Sequence, residues 1–195
     1  MNTKRIFAES LPLINYGNWD IDNRISTIDR GIMDEVGWDV VTMTLYAPWL
    51  PPGAGSLVAF DPGYAEAGVC YVGAKSIELW QCDVKAGKQY KYPSATQIAE
   101  RVHALFTGLD LVASDYVCEN AAYAKPFGQA NLGLVRGVFA GIALEKVSDL
   151  TFLAPQEIKA RVHSTTKVDY HKLSKHYSDA VAAFAIALAA LKGGK

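Results

Sequence analysis

Apolar positions along the chain fall into two regimes, divided by a proline-rich seam at 47–56, APWLPPGAGS. Pro48, Pro51 and Pro52 neither continue a helix nor donate to a sheet ladder, and Gly53 and Gly55 loosen the chain beyond them. Past the seam the pattern is regular. LVAF (57–60) is a short apolar run suited to a buried strand, and GVCYVG (68–73) and SIELWQCDV (76–84) read as its antiparallel neighbours. Ile98, Val102 and Leu105 recur at helical spacing in 95–106, and 109–119 reads as another strand. A long helix is expected over 127–146, a short strand over 151–154, and a helix over 155–162 with Pro155 at its first position. The last helix, 174–191, is apolar almost all round from Val181 onward, which predicts burial. Three strands followed by alternating helix and strand predict an α/β fold, a mixed sheet with helices on both faces.

Ahead of the seam the pattern is less regular. Residues 1–56 hold Trp19, Trp38 and Trp49, with 4 basic and 7 acidic side chains. A helix within 24–36 and a strand at 39–46 are expected there, and no chemistry stands out. The chain therefore divides into an N-terminal extension of unknown role, 1–56, and a domain over 57–195.

Composition narrows the function classes. Of 195 residues, 50% are hydrophobic and 20% charged, enough to bury a core. Lys and Arg number 19 against 20 Asp and Glu, which excludes a polybasic membrane binder or a wholesale basic nucleic-acid coat. That near-neutrality hides a split: residues 1–119 carry 9 basic and 15 acidic groups, residues 120–195 carry 10 and 5. The basic part includes Lys125, Arg136, Lys159, Arg161 and Lys167, and is expected to face phosphates. Cys70, Cys82 and Cys118 are widely spaced with no CxxC, which argues against a disulfide framework or zinc ribbon and fits a reducing compartment. The longest apolar run, 180–191, falls short of the ~20 residues a bilayer requires. The first twenty residues lack the apolar core of a secretory signal. The expectation is a soluble intracellular protein with no membrane partner.

Three acidic positions stand where strands or helices end. Asp61 closes the first strand in FDPG, Glu119 closes LVASDYVCE, and Asp179 lies in the first turns of the last helix, with His176 three residues before it. Carboxylates at the ends of neighbouring strands converge, because such strands are only ~4.8 Å apart. A helix packed on that edge supplies further ligands. A cluster of this kind repels itself unless it holds cations, and hard Mg²⁺ prefers carboxylate oxygen. Two such ions ~3.5–4 Å apart are the usual apparatus for attack of water on a phosphodiester. Taken singly, each residue has a plainer reading: a turn for Asp61, a solvated strand end for Glu119 with Asp115 as a rival, a favourable helix N-terminal acid for Asp179, a surface histidine for His176.

The same residues carry a resemblance. LVAFDPGYAEAGVCYV resembles the first hairpin of RuvC-type Holliday-junction resolvases, in the ribonuclease H-like superfamily. ENAAYAK (119–125), the LGxxRG-like Leu132-Gly133-Leu134-Val135-Arg136-Gly137, Ala154-Pro155-Gln156-Glu157-Ile158-Lys159, and His176–Asp179 before an Ala-rich helix follow in the family's order over about 57–191. The resemblance implies a ribonuclease H-like mixed five-stranded sheet flanked by helices. It implies Asp61, Glu119, His176 and Asp179 as the metal-binding and catalytic set, holding two Mg²⁺ ions for which Mn²⁺ substitutes. Lys159 and Lys167 resemble the basic residues placed near the scissile phosphate, Lys125 and Arg136 fall in DNA-facing motifs, and Tyr123 lies one residue from the family's stacking aromatic. The implied activity is paired nicking of a four-way DNA junction, leaving 5′-phosphate and 3′-hydroxyl ends. A homodimer is implied, since a two-fold junction presents two equivalent strands. The interval from Lys167 to Asp179 is shorter than the family's, and the N-terminal extension has no counterpart there. Other readings stay open: a related nuclease acting on RNA–DNA hybrids, flaps or RNA; a module that holds junctions without cutting; and an actin-like fragment, disfavoured by the lack of a second phosphate loop.

Overall fold

The computed structural model describes residues 25–33, 38–46, 55–74, 76–84, 94–120, 126–163 and 178–193. Seven strands form one sheet: β1 (Ile25–Met33), β2 (Trp38–Tyr46), β3 (Leu57–Asp61), β4 (Glu66–Val72), β5 (Ser76–Val84), β6 (Asp115–Glu119) and β7 (Asp149–Leu153). Their spatial order is β1-β2-β5-β4-β3-β6-β7. β3 runs parallel to β6, and β6 to β7; every other neighbouring pair is antiparallel. Four helices flank the sheet: α1 (Ala95–Leu109), α2 (Pro126–Glu145), α3 (Pro155–His163) and α4 (Ser178–Gly193).

The five strands expected beyond the seam are present as a mixed sheet, and two more join them from ahead of it. The segment 25–33 forms a strand, not the expected helix. Ile25, Ile28 and Ile32 fall at helical spacing, but β-branched residues also suit a pleated ladder, and pairing with β2 from Ile25↔Leu45 to Met33↔Trp38 decides the outcome. β2 in turn pairs with β5 from Trp38↔Val84 to Tyr46↔Ser76. Trp38 is fully buried and its indole N–H donates to the Arg101 carbonyl of α1 at 3.1 Å. The sheet thus runs on across the proline-rich seam.

The strand expected over 109–119 shortens to Asp115–Glu119 because α1 reaches Leu109 before it ends. Asp110 closes α1 in the left-handed region (φ 46°), its N–H donating to Phe106 O. At the other end Ser94 and Gln97 form a reciprocal cap, with bonds of 3.2 and 2.9 Å.

Alternation along the strands sorts the core into two layers. On one face Val58, Phe60, Val69, Trp80, Cys82 and Tyr116 pack beneath α1 and α2. There Phe60, Phe106 and Phe139 stand 5.0–5.1 Å apart, a floor under the end of β3. On the other face Leu57, Ala59, Cys70, Leu79 and Val117 pack beneath α3 and α4. From Ala183 to Ala189 every residue of α4 is buried, as its apolar sequence predicts.

Candidate active site

The two-residue period that buries Leu57 and Ala59 also carries Asp61 to the α3/α4 face, and the period that buries Val117 carries Glu119 there. Leu57 pairs with Asp115 and Phe60 with Cys118, so Asp61 and Glu119 end neighbouring parallel strands at one level. Asp115, the rival on β6, lies at the far end of the strand, roughly 13 Å away. It accepts a hydrogen bond from Ser114 Oγ at 3.1 Å and belongs to no acidic cluster with Asp61. Pro62 and Gly63 then turn the chain; a Cβ on Gly63 would overlap the Glu66 carbonyl.

The row continues across the sheet. Asp61 pairs with Gly68 of β4, and Gly68 with Gln81 of β5. Gly68 has no side chain because α4 begins directly above it: a Cβ there would overlap the backbone carbonyl of Asp179. This close approach delivers Asp179 to the row. Gln81 is 3% exposed, and its Oε1 accepts from the backbone N–H groups of Asp179 and Ala180 at 3.1 and 3.0 Å. Its Nε2 donates to Asp179 Oδ2 at 2.7 Å and to Asp83 Oδ1 at 3.1 Å.

Electrostatics follow from this crowding. Burial holds the Asp61 carboxyl well above the usual carboxylate range, and the charges of Glu119 and Asp179 and a hydrogen bond with Glu119 push the same way. Glu119 is also raised by burial, offset in part by the Asp61 hydrogen bond and the positive charges of Arg136 and Lys159. Both shifts favour a proton held between the two carboxyls, with Asp61 the donor and Glu119 the acceptor. Further out on the same face, burial raises Asp83 and Glu66, and the charge of Asp179 adds to both. Among the described residues no three Asp, Glu, His or Cys side chains form a group gathered closely enough to hold a metal ion; Asp179 Oδ2 accepts its hydrogen bond from Gln81 Nε2. The oxygen-rich donor set nevertheless has the chemistry a hard divalent cation needs: an ion replacing the shared proton would relieve the repulsion.

Of the residues expected in the site, Asp61 and Glu119 end adjacent strands, and Asp179 lies within electrostatic reach of Asp61. Lys159 is exposed on α3, within electrostatic reach of Glu119, and Arg136 on α2 acts on Glu119 and Cys118. Tyr123, Lys125, Lys167 and His176 lie outside the described residues. Arg161, expected to face phosphates, instead pairs with Glu157 and donates to the Ala189 carbonyl near the end of α4 at 3.0 Å. Gln81 and Gly68 were not anticipated. The signal for Gln81 is a polar residue inside the otherwise apolar LWQC stretch of β5.

No family model matches the sequence, and no curated protein is significantly similar to it. Solved structures are similar. RuvC of Thermus thermophilus in complex with a Holliday junction substrate matches with a TM-score of 0.51 at 19% identity, over 71% of this chain and 94% of that one. A second structure of Thermus thermophilus RuvC matches with a TM-score of 0.50 at 16% identity, over 71% of this chain and 95% of that one. At this identity the likeness speaks for architecture alone, and the architecture is the ribonuclease H-like fold of those RuvC structures.

Proposed function

We propose that the chain is a divalent-metal-dependent endonuclease that cuts branched DNA, four-way junctions above all, acting as a homodimer. The observation that carries this reading is the carboxyl pair of Asp61 and Glu119 at the ends of adjacent parallel strands, with α4 laying Asp179 beside it. Asp61, Glu119 and Asp179 are the residues that would hold divalent ions, Mg²⁺ or Mn²⁺, two per site in this reading. Such ions would supply activation of water at neutral pH and charge to steady the departing 3′-oxygen.

The chain's own groups do the rest. Arg136 and Lys159 draw Glu119 toward its ionised, ligating form. Lys159, exposed at the rim, can also neutralise a phosphate oxygen as water adds to phosphorus and the P–O3′ bond breaks. The aromatic rings of Phe60, Phe106 and Phe139 pack together beneath the end of β3. His176, as ligand or proton carrier, completes the proposed set, and Tyr123, Lys125 and Lys167 the proposed DNA contacts. Two subunits related by a two-fold axis would offer two sites to the two equivalent strands of a junction.

The test is cleavage of a labelled four-way junction beside linear duplex, flap and RNA–DNA hybrid, with Mg²⁺ or with chelator. Paired nicks near the crossover, lost in Asp61→Asn and Asp179→Asn, are expected. Cleavage surviving both substitutions would overturn the assignment. Hybrid cleavage alone would move the substrate to RNA–DNA, and junction binding without cleavage would make the protein a binding module.

A further inference from the structure

Among the described residues no strand lies beyond β7, which ends the sheet. Its ladder to β6 fixes which backbone groups are left over. Asp149 N donates to Ser114 O at 3.1 Å and Leu153 O accepts from Asn120 N at 2.8 Å, so the odd-numbered positions turn their N–H and C=O toward β6. Leu150 and Phe152 therefore turn theirs outward. Leu150 is half-buried against the α1/α2 side of the core, and Phe152, one period on, is 40% exposed. Three of the four large exposed apolar side chains among the described residues, Leu144, Val147 and Phe152, belong to this one stretch of chain. Val147 caps α2 in the left-handed region (φ 55°), its N–H donating to Leu144 O and that of Ser148 to Ala143 O. Glycine is the ordinary residue there. A β-branched side chain, 95% exposed, is apolar surface kept against the preference of the backbone. The edge also lacks the usual guards, since no Lys, Pro or bulge interrupts Asp149–Leu153.

We infer that the β7 edge is the two-fold interface of this chain: two copies join antiparallel through β7, with the axis at Thr151. This rests on the homodimer of the proposed function and not on its metal chemistry. The strand is complementary to itself in that register. Leu150 meets the partner's Phe152, and these outward-facing pairs exchange their backbone hydrogen bonds. Thr151 meets its own copy, Asp149 faces the partner's Leu153, and no like charges are opposed. An axis relating two antiparallel edge strands stands perpendicular to the sheet, so both acidic rows fall on one face of the joined sheet. With strands ~4.8 Å apart and ~3.3 Å per residue, the two Asp61 residues would lie about 27 Å apart. A second copy is thus the occupant that fills the edge and also brings two sites to one junction.

Thr151 is exposed, so a charge there is tolerated by the single chain and tests the axis directly. Wild type should sediment as a dimer at micromolar concentration. Thr151→Lys and Thr151→Glu each set like charges across the axis and should raise the dimer dissociation constant about 100-fold. Mixed in equal amounts, the two variants should recover a dimer with one chain of each, seen by native mass spectrometry. Either variant dimerising alone as tightly as wild type overturns the edge assignment and leaves the homodimer in place. A wild-type protein that stays monomeric, free and on a junction, removes both. A wild-type dimer split by these variants that cuts no DNA removes the nuclease reading and supports the interface. Should the variants fail to fold, hydrogen exchange of the wild type decides. The Leu150 and Phe152 amides should lose protection on dilution through the dissociation constant, and protection unchanged by dilution overturns the inference.

Discussion

At the scale of single residues, Asp61 makes stability depend on pH. Its raised carboxyl means that the folded chain binds this proton more tightly than the unfolded chain does, chiefly through burial. The stabilisation is complete below the ordinary carboxylate pKa of about 4, and it is lost as pH rises through the raised value. This sign is opposite to that of a salt-bridged carboxylate. Asp61→Asn keeps a donor toward Glu119 and removes the titration. In chelator it should melt higher than wild type at pH 7, by about 2–4 °C for each ~1 kcal/mol recovered in a chain of this size. The difference should shrink toward pH 4 when followed by calorimetry, and a less stable variant at neutral pH would contradict the account. Mg²⁺ should raise the melting temperature of wild type and not of the variant.

At the scale of elements, the contact between β4 and α4 sets the geometry. Gly68→Ala pushes the first turn of α4 off the sheet, because the new methyl meets backbone and not a yielding side chain. Overpacking of this kind costs about 1–3 kcal/mol. The larger effect should be on rate, since a displacement near 1 Å at a reacting centre costs on the order of 100-fold. Melting and single-turnover cleavage, measured together, should show activity lost well beyond what stability explains; a fully active Gly68→Ala would refute the placement. The burial of α4 was legible in its run of apolar residues, and the ends of β3 and β6 in their acidic punctuation. What could not be read was contact between distant segments. Gln81 looks like any polar residue of a half-exposed strand until α4 is laid over it. Ile25, Ile28 and Ile32 favour a helix until β2 offers a ladder, and Arg161 looks like a phosphate contact until the Ala189 carbonyl is found beside it.

At the scale of the molecule, near-neutral net charge conceals a division of labour. The acids concentrate before residue 120 and the bases after it, and Lys159 is exposed at the rim of the acidic row. Junction affinity in chelator, measured by anisotropy from about 50 to 200 mM NaCl, should fall steeply, because phosphate contacts release counterions. Lys159→Ala should reduce the slope of log affinity against log salt by about one, and salt-insensitive binding would contradict a basic DNA-facing surface. The β1–β2 ribbon carries a different consequence, for the order of assembly. Tyr46 must wait for Ser76 and Trp38 for Val84, so partners lie 30 to 46 residues apart in the chain. On a ribosome adding about 5–20 residues per second, the ribbon emerges seconds before β5 exists. A lone two-stranded ribbon is marginal in water. The β1–β2 strands are therefore seated late, by a partner that also carries Gln81, so completing the sheet and fastening the first turn of α4 depend on the same strand.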